Sequence, residues 1–281
     1  MQNPTPNGGC DSQSYHVNEW VLDAEKRENN MICASKSLTW VVSGIAFFGI
    51  TSAVKADCSR LPNYTELTNA LKAAVKPAGG PSNGGLDLNM WATIIDQDGT
   101  VCTVAFSGKS YSDQWLGSRV ISAQKANTAN AFSLDGLALS TSNLYSAVQP
   151  GGTLFGLQES NPVDTKIAYG GRAVDFGTKK DPMIGHRIGG INVFGGGLAL
   201  YNEKGHVGGL GISGDTSCAD HVVAWRVRKA LGFDKVPNGV SPHKDDAAIY
   251  DITSGSSKSG FGHPTCSGKE VEIGKQLGAS Y

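Results

Sequence analysis

The chain has 281 residues, a net charge of −1, 40% apolar and 17% charged residues, enough for one large domain or two small ones. That balance lacks the basic excess of a nucleic-acid binder. Its 37 glycines follow no collagen-like period and indicate a compact, loop-rich domain rather than a fibre.

Residues 1–30 are polar and unpatterned, and read as an extension or a misassigned start ahead of Met31. Lys36 then precedes the apolar run Leu38–Ile50, and Thr51–Ala56 supplies small residues at Val54 and Ala56. A charged start, a short apolar run and a small-residue cleavage pattern predict a secretory signal peptide over 31–56. The run is short for a membrane span. Cleavage after Ala56 would leave a periplasmic or extracellular protein with Cys58, Cys102, Cys218 and Cys266, which an oxidising compartment would pair as disulfides. Spacing does not fix connectivity. Cys58 with Cys266, tying down the two ends, is the most economical pairing.

Helical spacing of Leu67, Ala70, Leu71, Ala74 and Val75 predicts a helix over 63–75, ended by Pro77–Pro81. Leu88–Ile95 and Val101–Phe106, joined by the turn Asp96–Gly99, read as a hairpin. Ser118–Phe132 reads as an alanine-rich helix and Leu139–Gln149 as a shorter one. The loop-like segment 156–187, without a period, is either functional or an insertion. Two extended runs, 198–201 and 206–212, flank the turn Asn202–Gly205 and lead into a helix over 216–231 that Gly232 ends. Asp215 or Thr216 caps it, and Ser217–Asp220 matches a capping box. Residues 236–281 read as a polar C-terminal tail, leaving a domain over 57–235. Hairpins grouped with helices predict α+β with a mostly antiparallel sheet.

The densest chemistry lies between Gly195 and His221. Gly209–Gly214 fits G-x-G-x-x-G between a strand and a helix, but a dinucleotide site needs a further parallel strand, and no apolar strand precedes Asp234. Close backbone packing is one alternative. Another is an anion held by backbone N–H groups of Ser213, Gly214, Asp215 and Thr216 at the helix start. Cys218-x-x-His221 with His263-x-x-Cys266 has the composition of a zinc set, against which disulfide chemistry competes. His186 beside Arg187 offers an imidazole and a cation for a carboxylate. Arg119 lies on a helix whose Ser118, Ser122, Ala126 and Ala129 would admit a planar ligand, a second subunit or the sheet. No G-x-S-x-G and no H-E-x-x-H occurs.

Trp91–Gly99, Trp115–Arg119, Lys125–Ala129, Gly195–Leu198, Gly208–Gly214 and Asp220-His221 together resemble, in order and spacing, the GlcG/HbpS family of haem-binding proteins over about 63–232. The resemblance implies a profilin-like α+β domain, a central sheet flanked by helices, that assembles into homo-oligomers. It also implies haem binding, in some members with slow oxidative haem degradation and iron release, and in exported members a sensing role beside a sensor kinase. Several relatives carry histidines in the N-terminal half, whereas the chain after Ala56 has none before His186. Candidate iron ligands are therefore His186, His206 and His221. Arg119, Arg187 or the Gly209–Asp215 loop are candidate propionate contacts. The alternative is a non-enzymatic module of the same fold for a small carboxylate or a partner protein.

Overall fold

The computed structural model describes residues 57–278; the expected extension 1–30 and signal peptide 31–56 lie outside them. Strands β1 (Trp91–Asp96), β2 (Val101–Phe106), β3 (Gly197–Asn202) and β4 (Gly205–Ser213) form one antiparallel sheet in the order β2-β1-β4-β3. Helices α1 (Tyr64–Ala74) and α4 (Ser217–Ala230) cover one face, and α2 (Gly117–Ala131) covers the other. The fold class is thus α+β with an antiparallel sheet between helices.

Period-two alternation builds the first interface. Ala92, Ile94, Leu198, Leu200, Leu210 and Ile212 share a face and pack on Leu67, Leu71, Val223 and Val227 of the two helices. Each large side chain so buried contributes roughly 1.5–3 kcal/mol. The opposite face is built for close approach. A Cβ on Gly211 would lie 1.8 Å from the Ser122 carbonyl oxygen, and one on Gly209 would lie 2.3 Å from that of Ala126. Thr93 and Ser122 hydroxyls bond across this interface at 2.7 Å. Gly209 and Gly211 of the G-x-G-x-x-G stretch therefore seat α2 on the sheet, and the small residues Ser122 and Ala126 of α2 face strand backbone rather than a planar ligand.

Local chemistry sets the element ends. Asn63 and Glu66 make a reciprocal capping box on α1. Thr216, not Ser217, caps α4 through the Ala219 N–H, and Gly232 follows that helix at φ 73°. The first strand starts at Trp91 rather than Leu88, because the Leu88 N–H is bonded to Asp215. The helix expected over 139–149 is instead two 3-10 turns, Thr141–Leu144 and Ser146–Val148. There Asn143 accepts from both the N–H and the hydroxyl of Ser140, so side chains compete with helical backbone bonds.

Two segments differ more from expectation. Residues 156–187 contain one α-helical turn, α3 (Thr165–Ala168), and the 3-10 turn Ala173–Asp175, and close over the α2 side of the sheet with Ala168 and Met183 buried beside Val104 and Val120. Residues 236–278 do not form a free tail. They carry the short hairpin β5 (Ile252–Thr253) with β6 (Ser256–Ser257) and the helix α5 (Lys269–Gln276), and they bury Asp246, Ala247, Ala248 and His263. The expected Cys58–Cys266 bridge is replaced by Cys58–Cys102 and Cys218–Cys266, with Cα separations of 5.4 and 6.0 Å. Cys58 lies beside β2, whereas the C-terminal segment returns to the start of α4.

Candidate functional site

The expected site residues fall at two ends of the sheet. Ser213 ends β4 and Gly214, Asp215 and Thr216 follow it, while His206 lies near its start. The strand length between His206 and Ser213 is roughly 23 Å at about 3.3 Å per residue, too far for one small ligand to touch both.

The turn after β4 is already filled by the protein's own carboxylates. Asp220 Oδ1 accepts from the Asp215 N–H at 2.9 Å, and Asp215 accepts from the N–H groups of Thr216, Leu86 and Leu88. The anion expected at Ser213–Thr216 thus meets Asp215 and Asp220 in the positions it would take.

Behind this turn lies a buried polar centre. Lys125 Nζ stands 2.7 Å from Asp220 Oδ2 and 3.1 Å from the Ile212 carbonyl oxygen. Burial pushes the Asp220 carboxyl up to about 6 and the Lys125 amine down, and their attraction opposes both shifts. His221 is wholly buried, its Nε2 accepting from the Ala248 N–H at 3.2 Å, and its Nδ1 has no hydrogen-bond partner among the described residues. His263 Nδ1 donates to the Pro264 carbonyl at 2.7 Å. Burial lowers His221 to about 3 and His263 to about 4, so both rings are neutral near pH 7. His221 is an internal acceptor, out of reach of a bound iron. The zinc set also fails, since Cys218 and Cys266 are bonded to each other.

Arg119 is likewise spent internally. Its Nε donates to Asp181 Oδ2 at 2.8 Å and its Nη1 to the Ala168 carbonyl at 2.9 Å, with the side chain 1% exposed. It locks the 156–187 segment to α2, and burial keeps its remaining N–H groups from a propionate at the surface.

The other end of the sheet holds an open cleft of 360 Å³, lined by Gln97, Asp98, Gly99, Asn127, Asn130 and His206 among others. Every element here is positioned by backbone or amide bonds. The Asn130 amide donates to the Gln97 carbonyl at 3.0 Å, and the His206 N–H donates to Asp135 at 3.0 Å. His206 Nε2 lies 3.0 Å from the Gly208 carbonyl oxygen. That contact makes Nε2 the donor and leaves the lone pair on Nδ1. Burial holds this ring below the usual histidine range, so it is neutral near pH 7. Arg187 pairs with Asp98 at the rim and is exposed, as is His186, whose carbonyl accepts from the Val101 N–H. The Asn130 Oδ1 is buried without a hydrogen-bond partner among the described residues. Leu134, 67% exposed, neighbours the cleft residue Ser133. The structure thus brings His206, Arg187 and His186 to one end, and places Arg119, His221 and the Ser213–Thr216 turn elsewhere. Asn130 carries no signal in the sequence beyond helical spacing; Asn127 lies in the Lys125–Ala129 motif, and His206, His186, Arg187 and the Asp96–Gly99 turn already marked this end.

Residues 67–228 match the family described as haem degrading protein HbpS-like. Over 177 residues the chain is 30% identical to the corrinoid adenosyltransferase PduO of Citrobacter freundii, covering 62% of this chain and 41% of that protein. The chain therefore spans about two fifths of the curated relative it matches. Among solved structures, the PduOC:haem complex is similar with a TM-score of 0.41 and 24% identity, over 59% of this chain and 90% of that one. The Klebsiella pneumoniae protein ORFY gives a TM-score of 0.41 and 19% identity, over 69% and 97%. A double mutant of HbpS from Streptomyces reticuli gives 0.39 and 12%, over 70% and 99%.

Proposed function

This chain belongs to the HbpS-like family of haem-degrading proteins, and from that premise we propose that it is an exported haem-binding protein that takes haem at the cleft containing His206. The observation that carries the site is a neutral, partly buried imidazole whose Nε2 is tied to Gly208 while Nδ1 keeps its lone pair. In this reading His206 would ligate the iron, Arg187 would meet a propionate in exchange for its surface partner Asp98, and Leu134 with Ala131 would supply apolar contact on the open side. His186 is the second candidate ligand, on the same end but exposed. Bound haem would bring the redox chemistry of its iron; the chain's part is to hold the ring and control access to it.

Oxidative haem degradation and a sensing role beside a sensor kinase belong to the same proposal, as does assembly into homo-oligomers, in which a second copy would cover the open side of the cleft. Support for export comes from Cys58, Cys102, Cys218 and Cys266 all being bridged, the state favoured in an oxidising compartment. The reading as a carrier of a small carboxylate loses ground, because Asp215 and Asp220 already occupy the helix entry that would hold it.

Hemin titration followed by absorbance tests the proposal. A Soret shift saturating on the order of micromolar hemin is expected, with His206→Ala weakening it strongly and His186→Ala leaving it nearly intact. Full retention of the shift in His206→Ala would place the ligand elsewhere, and no shift in the unaltered protein would sink haem binding altogether.

A further inference from the structure

A second cleft, of 330 Å³, lies on the β2 edge of the molecule, away from the cleft containing His206. Its walls come from three parts of the chain. Helix α1 gives Tyr64, Thr68 and Lys72; the end of β2 and its turn give Phe106, Lys109 and Tyr111; the segment 173–178 gives Val174 and Phe176. The 156–187 segment, once placed, therefore makes one side of a binding-sized cavity.

The walls combine flat aromatic faces with positive charge. Phe106 is stacked on the buried Trp91 ring at 4.1 Å, which fixes its orientation. Phe176 is held from behind by the Arg119 guanidinium, 3.9 Å from its centroid. Tyr64 is tied to the Gly177 carbonyl at 3.2 Å, and Lys179 Nζ lies 5.8 Å from its ring. Lys72 and Lys109 line the cleft, and no carboxylate does. The nearest acid on the β2 turn, Asp113, accepts from the N–H groups of Lys109 and Ser110 at 2.8 and 2.9 Å. Asp175, on the other wall, is paired with Arg172. Thr68 Oγ1, within the cleft lining, is buried and has no hydrogen-bond partner among the described residues.

Rigid aromatic faces favour a flat ring, by stacking and edge contacts. Lysines without a lining carboxylate favour a negative charge on that ring. No histidine, cysteine, methionine or carboxylate lines the space, so the cleft lacks the usual ligands of a metal or a haem iron. We propose that this cleft binds a small planar aromatic carboxylate, its ring between Tyr64, Phe106 and Phe176 and its anion toward Lys72 and Lys109.

Calorimetric titration with naphthoate, and with naphthalenemethanol as the uncharged counterpart, tests this in the unaltered protein and in Lys72→Gln/Lys109→Gln. Both lysines are exposed, so the double variant keeps the fold. Naphthoate should bind, the alcohol should bind about tenfold more weakly or worse, and the double variant should weaken naphthoate about tenfold while leaving the alcohol unchanged. Saturating hemin should not compete. No heat at millimolar naphthoate, equal affinity for acid and alcohol, or an unchanged affinity in the double variant would each overturn the proposal.

Discussion

The sheet with its helices and the C-terminal segment 236–278 both bury side chains, yet by different means. The sheet interior is apolar on one face and glycine-lined on the other. The C-terminal segment instead buries charge and imidazole. Asp246 holds both guanidinium nitrogens of Arg228 at 2.6 and 2.7 Å, with neither side chain more than 2% exposed. Ala248 donates to His221, and Cys266 is bridged to Cys218. Apolar burial is graded and forgiving, because lost contacts are individually small. A buried charge is not, because its lost partner leaves the full cost of desolvation. The segment should therefore fail abruptly where the sheet would weaken by steps.

The largest expected effect follows directly. Arg228→Met leaves Asp246 buried without a counter-charge and should cost roughly 3–5 kcal/mol, measured by urea denaturation. Arg228→Met/Asp246→Leu should recover most of that loss, since replacing both partners removes the uncompensated charge. A double variant as unstable as the single one would show that the pair itself, rather than the orphaned charge, carries the stability.

The same contrast explains what is legible in the sequence. The sheet and its three helices can be read from alternation, from helical spacing and from Asn63, Thr216 and Gly232 at their ends. Arg228 and Asp246, 18 residues apart, and Arg119 and Asp181, 62 apart, obey no period; a charged residue in a polar stretch reads as solvated until the fold supplies its partner. The 156–187 and 236–278 segments therefore look loose in sequence although they are pinned by buried pairs. The candidate cleft is half legible for the same reason. His206 stands out as a histidine beside a turn, whereas Asn130 is an ordinary helix residue until α2 is laid against the Gln97–Gly99 turn.

An intermediate effect is expected in the sheet. Gly211→Ala would place a Cβ within 1.8 Å of the Ser122 carbonyl oxygen, so α2 must shift outward along the interface. Overpacking of this kind costs about 1–3 kcal/mol, without an orphaned charge. The variant should unfold at lower urea concentration with an unchanged slope. A loss below about 0.5 kcal/mol would mean that the helix is seated less tightly than its contact with Gly211 indicates.

The smallest effect is one of pH, and it returns to the interface between the two regions. His221 belongs to α4 but accepts from Ala248 of the C-terminal segment, and burial lowers it to about 3. An unfolded histidine titrates near 6.5. Between those values the unfolded chain binds a proton that the folded chain refuses, so the stabilisation is present above about 6.5 and is lost as pH falls. From pH 7 to pH 6 the loss from this residue is roughly 0.7 kcal/mol. Asp220, raised from 3.8 to about 6, acts in the opposite sense, because there the folded chain holds the proton longer. Comparing the pH 7 to pH 6 difference with that of His221→Gln separates the two, since Asp220 is common to both proteins. The unaltered protein should lose more stability on acidification than the variant, measured by urea denaturation at the two pH values. Equal pH dependence in the two proteins would show that His221 keeps its proton in the fold, and that the segment is held there by something other than a neutral imidazole.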